Sequence, residues 1–272
     1  MRAQLLFLFI FFNPFLGHNQ ITLNKIDYVK LDEQFKLTSI DSQGKLYFLE
    51  GNKLIKVSMF SNFSSIPSSK ENYFFSDSSL GPLSKVDIYN NFKLKLWYSN
   101  YNTLVILDNF LNEITRVDFN KISSLFEIVN ISSANENNVW VFDESAMKIK
   151  KFDFFKKVFV ENIETQIEGD LIEMKSNYNY LWVLTKKYFY KISYNGLIIY
   201  KTENEYEYSK LGFYNDNVLL SNSSEIFHFK NEEELLVKIN LEKLFIKDFF
   251  VINETLYIYD KDHLNKYLIL SY

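Results

Sequence analysis

Six short apolar triplets recur along this chain at a nearly constant interval, and that recurrence constrains the fold more than any single motif. They are Leu46-Tyr47-Phe48, Leu96-Trp97-Tyr98, Val139-Trp140-Val141, Leu181-Trp182-Val183, Val218-Leu219-Leu220 and Leu256-Tyr257-Ile258. Their first residues lie 50, 43, 42, 37 and 38 positions apart, a mean of 42. Eight residues after each first position another apolar residue opens a second run, at Leu54, Leu104, Met147, Phe189, Ile226 and Leu264. Ahead of each triplet lie a further apolar stretch and a polar turn, as in Ile40 through Gly44, Ile131 through Asn138, Phe213 through Asn217 and Val251 through Glu254. Asparagine stands in for glycine in several of these turns, being the residue other than glycine that best tolerates the left-handed region.

No stretch from Ile21 onward reads as an amphipathic helix, so the repeat is a unit of three or four short antiparallel strands. Within each triplet, residues of both parities are apolar. A sandwich strand buries one face, whereas the strand of a propeller blade packs against neighbours on both. The reading is an all-β, six-bladed β-propeller, with a seven-bladed ring as second choice. A large right-handed β-helix is disfavoured because its turns recur at shorter periods. The sixth repeat supplies Phe249 to Ile252, Leu256 to Tyr259 and Leu264 to Leu270, and the sequence then stops at Tyr272, one outer strand short. Ile21 to Leu31 is predicted to fill that place and close the ring.

At the N-terminus, Met1-Arg2 precedes the apolar run Leu5 to Phe12, which Asn13-Pro14 breaks. A charged start, a short apolar core and a breaker indicate a secretory signal over residues 1–19, with a single propeller domain over 20–272. The run is too short to span a bilayer. The expected location is therefore the periplasm or the cell exterior. With no cysteine, a lipoprotein anchor, disulfides and thiol chemistry are all excluded. Rich in Phe (27) and Tyr (19), the chain is too apolar to stay disordered. A net charge of −4 with Arg2 and Arg116 as its arginines argues against a nucleic-acid partner.

Asn138 through Asp143, followed by Met147 through Phe152, resembles the repeats of secreted six-bladed propellers of the TolB-like and NHL-like kind. Val86 through Lys93 and Leu104 through Ile114 are similar to uncharacterised exported propellers of Bacteroidota. The resemblance spans about residues 36 to 272 and rests on structural positions. It implies a fold and an exported location, and it transfers no catalytic residue.

Candidate chemistry is sparse. Tyr47, Trp97, Trp140, Trp182 and Tyr257 hold the second triplet position and read as inter-blade packing rather than a stacking platform for sugars or bases. The histidines His18, His228 and His263 cannot form a zinc cluster, and no nucleophile elbow, phosphate loop or dinucleotide fingerprint occurs. Binding is expected in the turns that follow the triplets, at Tyr101, Asp143, Glu144, Asp262 and His263. The sequence thus points to a non-enzymatic, monomeric interaction or scaffold module without a cofactor, its partner another envelope protein. The alternative is a metal-dependent hydrolase or lactonase with Asp87, Glu127 and Glu173 on the innermost strands around a central channel.

Overall fold

The structure, a computed structural model, describes residues 21–31, 36–58, 73–177, 179–215, 217–230, 233–261 and 263–271. The N-terminal segment read as a secretory signal lies outside these residues. Strand β1 (Ile21–Lys30) comes first in the chain. Blade I follows as β2 (Lys36–Ile40), β3 (Lys45–Glu50), β4 (Lys53–Ser58) and β5 (Tyr73–Ser76), and blade II as β6 (Lys85–Asp87), β7 (Leu94–Tyr98), β8 (Thr103–Leu107) and β9 (Glu113–Asp118). Blade III comprises β10 (Ile128–Ser133), β11 (Asn138–Asp143), β12 (Lys148–Asp153) and β13 (Val158–Gln166). Blade IV is β14 (Leu171–Ser176), β15 (Tyr180–Thr185), β16 (Tyr188–Ser193) and β17 (Ile198–Glu203). Blade V is β18 (Lys210–Tyr214), β19 (Asn217–Ser221), β20 (Ile226–Lys230) and β21 (Leu235–Lys238), and β22 (Asp248–Ile252), β23 (Thr255–Tyr259) and β24 (His263–Ser271) begin the sixth.

Every blade is a four-stranded antiparallel sheet, and the first strand of each touches the first strands of both neighbours, with β22 meeting β2 to complete a ring of six. The sixth sheet runs β22, β23, β24 and then β1. The two ends of the chain pair from Ile21 opposite Ser271 to Lys30 opposite His263, with one irregularity between Lys25 and Asp27. Placing the N-terminal strand outermost in the last blade joins the ends of the ring through a hydrogen-bonded ladder.

The triplets occupy the second strand of every blade, and their parity divides the core. Leu96 and Tyr98 pack toward blade I while Trp97 packs toward blade III. Val139 and Val141 face blade II while Trp140 faces blade IV. The same division holds for Leu181, Val183 and Trp182, for Val218, Leu220 and Leu219, and for Leu256, Ile258 and Tyr257. One strand therefore serves two apolar interfaces, and each fully buried large side chain contributes roughly 2–3 kcal/mol. The residue eight positions on lies in the third strand of five blades. In blade III, Met147 instead takes a left-handed turn position (φ 52°), and Ile149 fills the core. Asn102, Asn215 and Asn253 also have φ near +50°, as expected for asparagine in tight turns.

Turns from first to second strand and from third to fourth emerge on one face of the disc, here the top. Turns from second to third strand and the connectors between blades emerge on the bottom. Among the described residues no helix is long and apolar enough to cross a membrane.

Candidate functional site

The first strands wall the channel, and alternation along each of them puts residues two apart on the same side. Lys85 and Asp87 of β6, Glu173 and Lys175 of β14, Lys210 of β18 and Asp248 of β22 thus come together in a charged lattice. Lys85 Nζ donates to Asn130 Oδ1 of blade III at 2.8 Å and to the Met174 carbonyl of blade IV at 2.7 Å. Asp87 accepts from the Ser133 amide at 2.7 Å and the Ser133 hydroxyl at 2.6 Å, and buried Lys95 donates to the same hydroxyl at 3.0 Å. Glu173 accepts from the Leu211 amide at 2.6 Å and pairs with Lys175 at 3.3 Å, while Lys175 donates to the Leu211 carbonyl at 2.5 Å. Lys210 lies 3.7 Å from Asp248.

The protonation of these groups follows from burial set against their neighbours. Burial works to raise Asp87, but Lys95, Lys85 and the Ser133 donors outweigh it and hold the carboxyl below its usual range. The same contest leaves Glu173 lowered, with Lys175, Lys210 and Lys85 prevailing. Burial prevails at Asp248, whose pKa is raised, and at Lys85, which is pushed down to about 8. At Lys175 burial lowers the pKa, yet Glu173 and Asp248 reverse the sign and raise it.

The channel opens differently at its two ends. A cavity of about 450 Å³ at the bottom is lined by Lys36, Lys85, Lys175, Lys210 and Lys247 together with Glu173 and Asp248. At the top, a cavity of about 320 Å³ is edged by Ile40, Ile88, Phe213, Phe249 and Ile252. On the same face as this apolar mouth, the top turns of blades II to IV expose Phe92, Phe110, Phe155, Tyr194 and Leu197. The Phe110 ring meets Tyr73 at 5.3 Å.

Of the sequence-predicted binding residues, those described sit on the bottom but not together. Tyr101 is exposed in blade II, and Glu144 is exposed in blade III. His263 lies in blade VI, its ring 5.7 Å from that of Tyr28. Asp143 is not an exposed turn residue. It is buried at the end of β11, pairs with Lys150 at 3.1 Å and accepts from Ser145 Oγ at 2.7 Å, so it braces its own hairpin. Asp262 lies outside the described residues. Of the channel carboxylates, Asp87 and Glu173 face the lumen, whereas Glu127 is exposed ahead of β10 and its backbone joins the Asp143 turn. Among the described residues no three His, Asp or Glu side chains are grouped to hold a metal ion.

Two features escaped sequence reasoning. The first is the lysine partners of the channel carboxylates, whose signal was the two-residue spacing in Lys85-Val86-Asp87 and Glu173-Met174-Lys175. The second is a repeated clip. Tyr47, Trp140 and Trp182 stand opposite Lys56, Lys151 and Lys191 of the third strand, with the ammonium over the ring at 5.5, 4.5 and 5.2 Å. Lys56 then donates to the Asn109 carbonyl at 2.9 Å and Lys151 to the Tyr194 carbonyl at 2.5 Å, each in a top turn of the next blade. Blade V, the repeat without a second-position aromatic, has His228 opposite Leu219 in that place.

No protein-family model matches the chain, and no curated protein matches it in sequence. Solved structures do match in fold. A protein of unknown function from Bacteroides thetaiotaomicron superposes with a TM-score of 0.63 at 8% identity, covering 93% of this chain and 76% of its own. Virginiamycin B lyase from Staphylococcus aureus gives 0.59 at 10% identity over 92% of this chain and 100% of its own. BamB from Moraxella catarrhalis gives 0.54 at 12% identity over 91% and 100%. At such identities the likeness is one of fold, and the count of six blades rests on this chain's own sheets.

Proposed function

We propose that the protein is an exported, non-enzymatic propeller that binds another protein of the cell envelope through its top face. One observation carries this reading: Phe92, Phe110, Phe155, Tyr194 and Leu197 are each between 45% and 69% exposed in the top turns of three successive blades. Exposed large apolar side chains mark a contact site, and although the bottom also exposes Tyr101, Leu125, Tyr206 and Phe245, its channel mouth is charged, whereas the top mouth is apolar like the side chains on its face. A net charge of −4 and the near absence of arginine favour a protein over a nucleic acid as the partner. Export rests on the charged, apolar and helix-breaking pattern of residues 1–17.

The bottom turns at Tyr101, Glu144 and His263 are the second candidate surface. The channel-hydrolase alternative draws no support from the donor set, because Asp87 and Glu173 are already engaged by lysines, hydroxyls and backbone amides. The test compares two variants in partner capture from the producing cell's envelope. One carries Phe92→Ser, Phe155→Ser and Leu197→Ser, and the other Tyr101→Ser and Glu144→Gln. Both should melt close to the parent, since exposed substitutions rarely shift stability by more than roughly 0.5 kcal/mol each. Loss of capture in the first with retention in the second supports the reading, and the converse moves the site to the bottom face.

A further inference from the structure

The bottom mouth of the channel carries more positive charge than its own architecture consumes. Among the described residues, five lysines line it against two carboxylates, Glu173 and Asp248. Both acids already have partners, Lys175 at 3.3 Å and Lys210 at 3.7 Å. Lys36, Lys85 and Lys247 enter no ion pair among the described residues. Among the described residues the Lys247 ammonium donates only to the Tyr259 hydroxyl, at 3.3 Å. The Lys85 ammonium has three donors and spends two of them on Asn130 and Met174, leaving one N–H with no partner among the described residues in a side chain that lines the cavity. Burial pushes the Lys85 pKa down to about 8 against the pull of Glu173 and Asp87, neither of which lies within ion-pair distance.

We propose that this mouth binds a small multivalent oxyanion, with Lys36, Lys85 and Lys247 supplying the charge that no ion pair engages. The cavity, about 450 Å³, suits a small ligand. Among the described residues no arginine lines it, so they supply none of the planar forks that recognise a single carboxylate. Lysine ammoniums are compact point charges that converge on an anion from several directions, which fits a phosphate-type or polycarboxylate ion carrying two or three charges. An excess of three lysines over carboxylates matches that valence. The site is independent of the top-face reading, because it lies at the other end of the channel.

The experiment is calorimetric titration of the full mature chain with pyrophosphate and, separately, citrate, at fixed ionic strength set by chloride. Saturable one-to-one binding with a Kd below about 1 mM is expected for at least one of them. Binding of pyrophosphate alone assigns the phosphate class, and binding of citrate alone the polycarboxylate class. The Lys36→Gln, Lys247→Gln double variant should weaken binding at least about tenfold, roughly 1.4 kcal/mol. Lys93→Gln, a top-face lysine that donates to Asn137 Oδ1, should leave it unchanged. Lys85→Met should abolish binding, and if that variant fails to fold the double variant decides. No saturable binding of either ion up to about 10 mM, or equal affinity in the double variant, overturns the proposal.

Discussion

Closing the ring with β1 makes a prediction that the cysteine-free sequence renders unusually clean. Asn24 and Leu268 are register partners across the β1–β24 ladder. Directly opposed residues in an antiparallel pair have Cα atoms about 4.5–5.5 Å apart, within the range a disulfide spans. Asn24→Cys with Leu268→Cys should therefore oxidise to an intramolecular bond, with no other thiol in the chain to compete. The bond would enclose about 245 residues, for which the chain-entropy relation gives roughly 5 kcal/mol. At about 2–4 °C per kcal/mol for a domain of this size, the oxidised form should melt 10 °C or more above the same variant reduced. Comparing the two redox forms of one protein cancels the packing lost at Leu268. Non-reducing electrophoresis reports bond formation, and calorimetry with and without reductant reports the shift. Either single-cysteine variant should be insensitive to reductant as a monomer. Failure of the pair to oxidise within one chain, or an oxidised form that melts no higher, would refute the pairing of the termini.

Further outcomes follow from buried groups. His228 is held neutral, its pKa pushed down to about 4 by burial and then by Lys230. The unfolded chain binds the proton more tightly, so this residue costs stability as pH falls from about 6.5 toward 4, by roughly 2 kcal/mol between pH 7 and pH 5. His228→Leu should flatten the acid limb of a melting-temperature profile, and an unchanged limb would exclude His228 as its source. Gly212 admits no side chain, since a Cβ there would lie 2.3 Å from Phe249 Cε2, in a ring buried between blades V and VI. Gly212→Ala should lower stability by about 1–3 kcal/mol, and Phe249→Leu in the same chain should restore part of it. Strictly additive losses in that double variant would show that the two positions do not collide.

The blade count and the ring closure were legible because they rest on local periodicity. A triplet with both parities apolar can only sit between two packed neighbours, and a sixth repeat lacking an outer strand must borrow one. Met147 shows the limit of that reasoning: it keeps the spacing of its equivalents yet turns through a left-handed conformation, and the strand begins one residue later. The site was less legible because its contacts join different blades. Lys85 reaches Met174 across 89 positions, a distance along the chain that no local pattern encodes. Asp143 followed the triplet of its blade and read as a turn acid, but the pairing of β11 with β12 brings Lys150 over it and buries it. The top-face aromatics left a usable trace, since Phe92 and Phe110 stand inside Asn- and Asp-rich turns where a core residue has no strand to pack from.

The assignment of the partner surface to the top face is tested most directly by a photo-crosslinking residue placed singly at Phe92, Leu197, Tyr101 and Leu125 in the producing cell. All four are exposed, the first two on the top and the last two on the bottom. Irradiation should yield a discrete crosslinked species of one added mass from Phe92 and Leu197, with none from Tyr101 or Leu125. Crosslinks that form from the bottom pair alone, or from none of the four, would contradict the account.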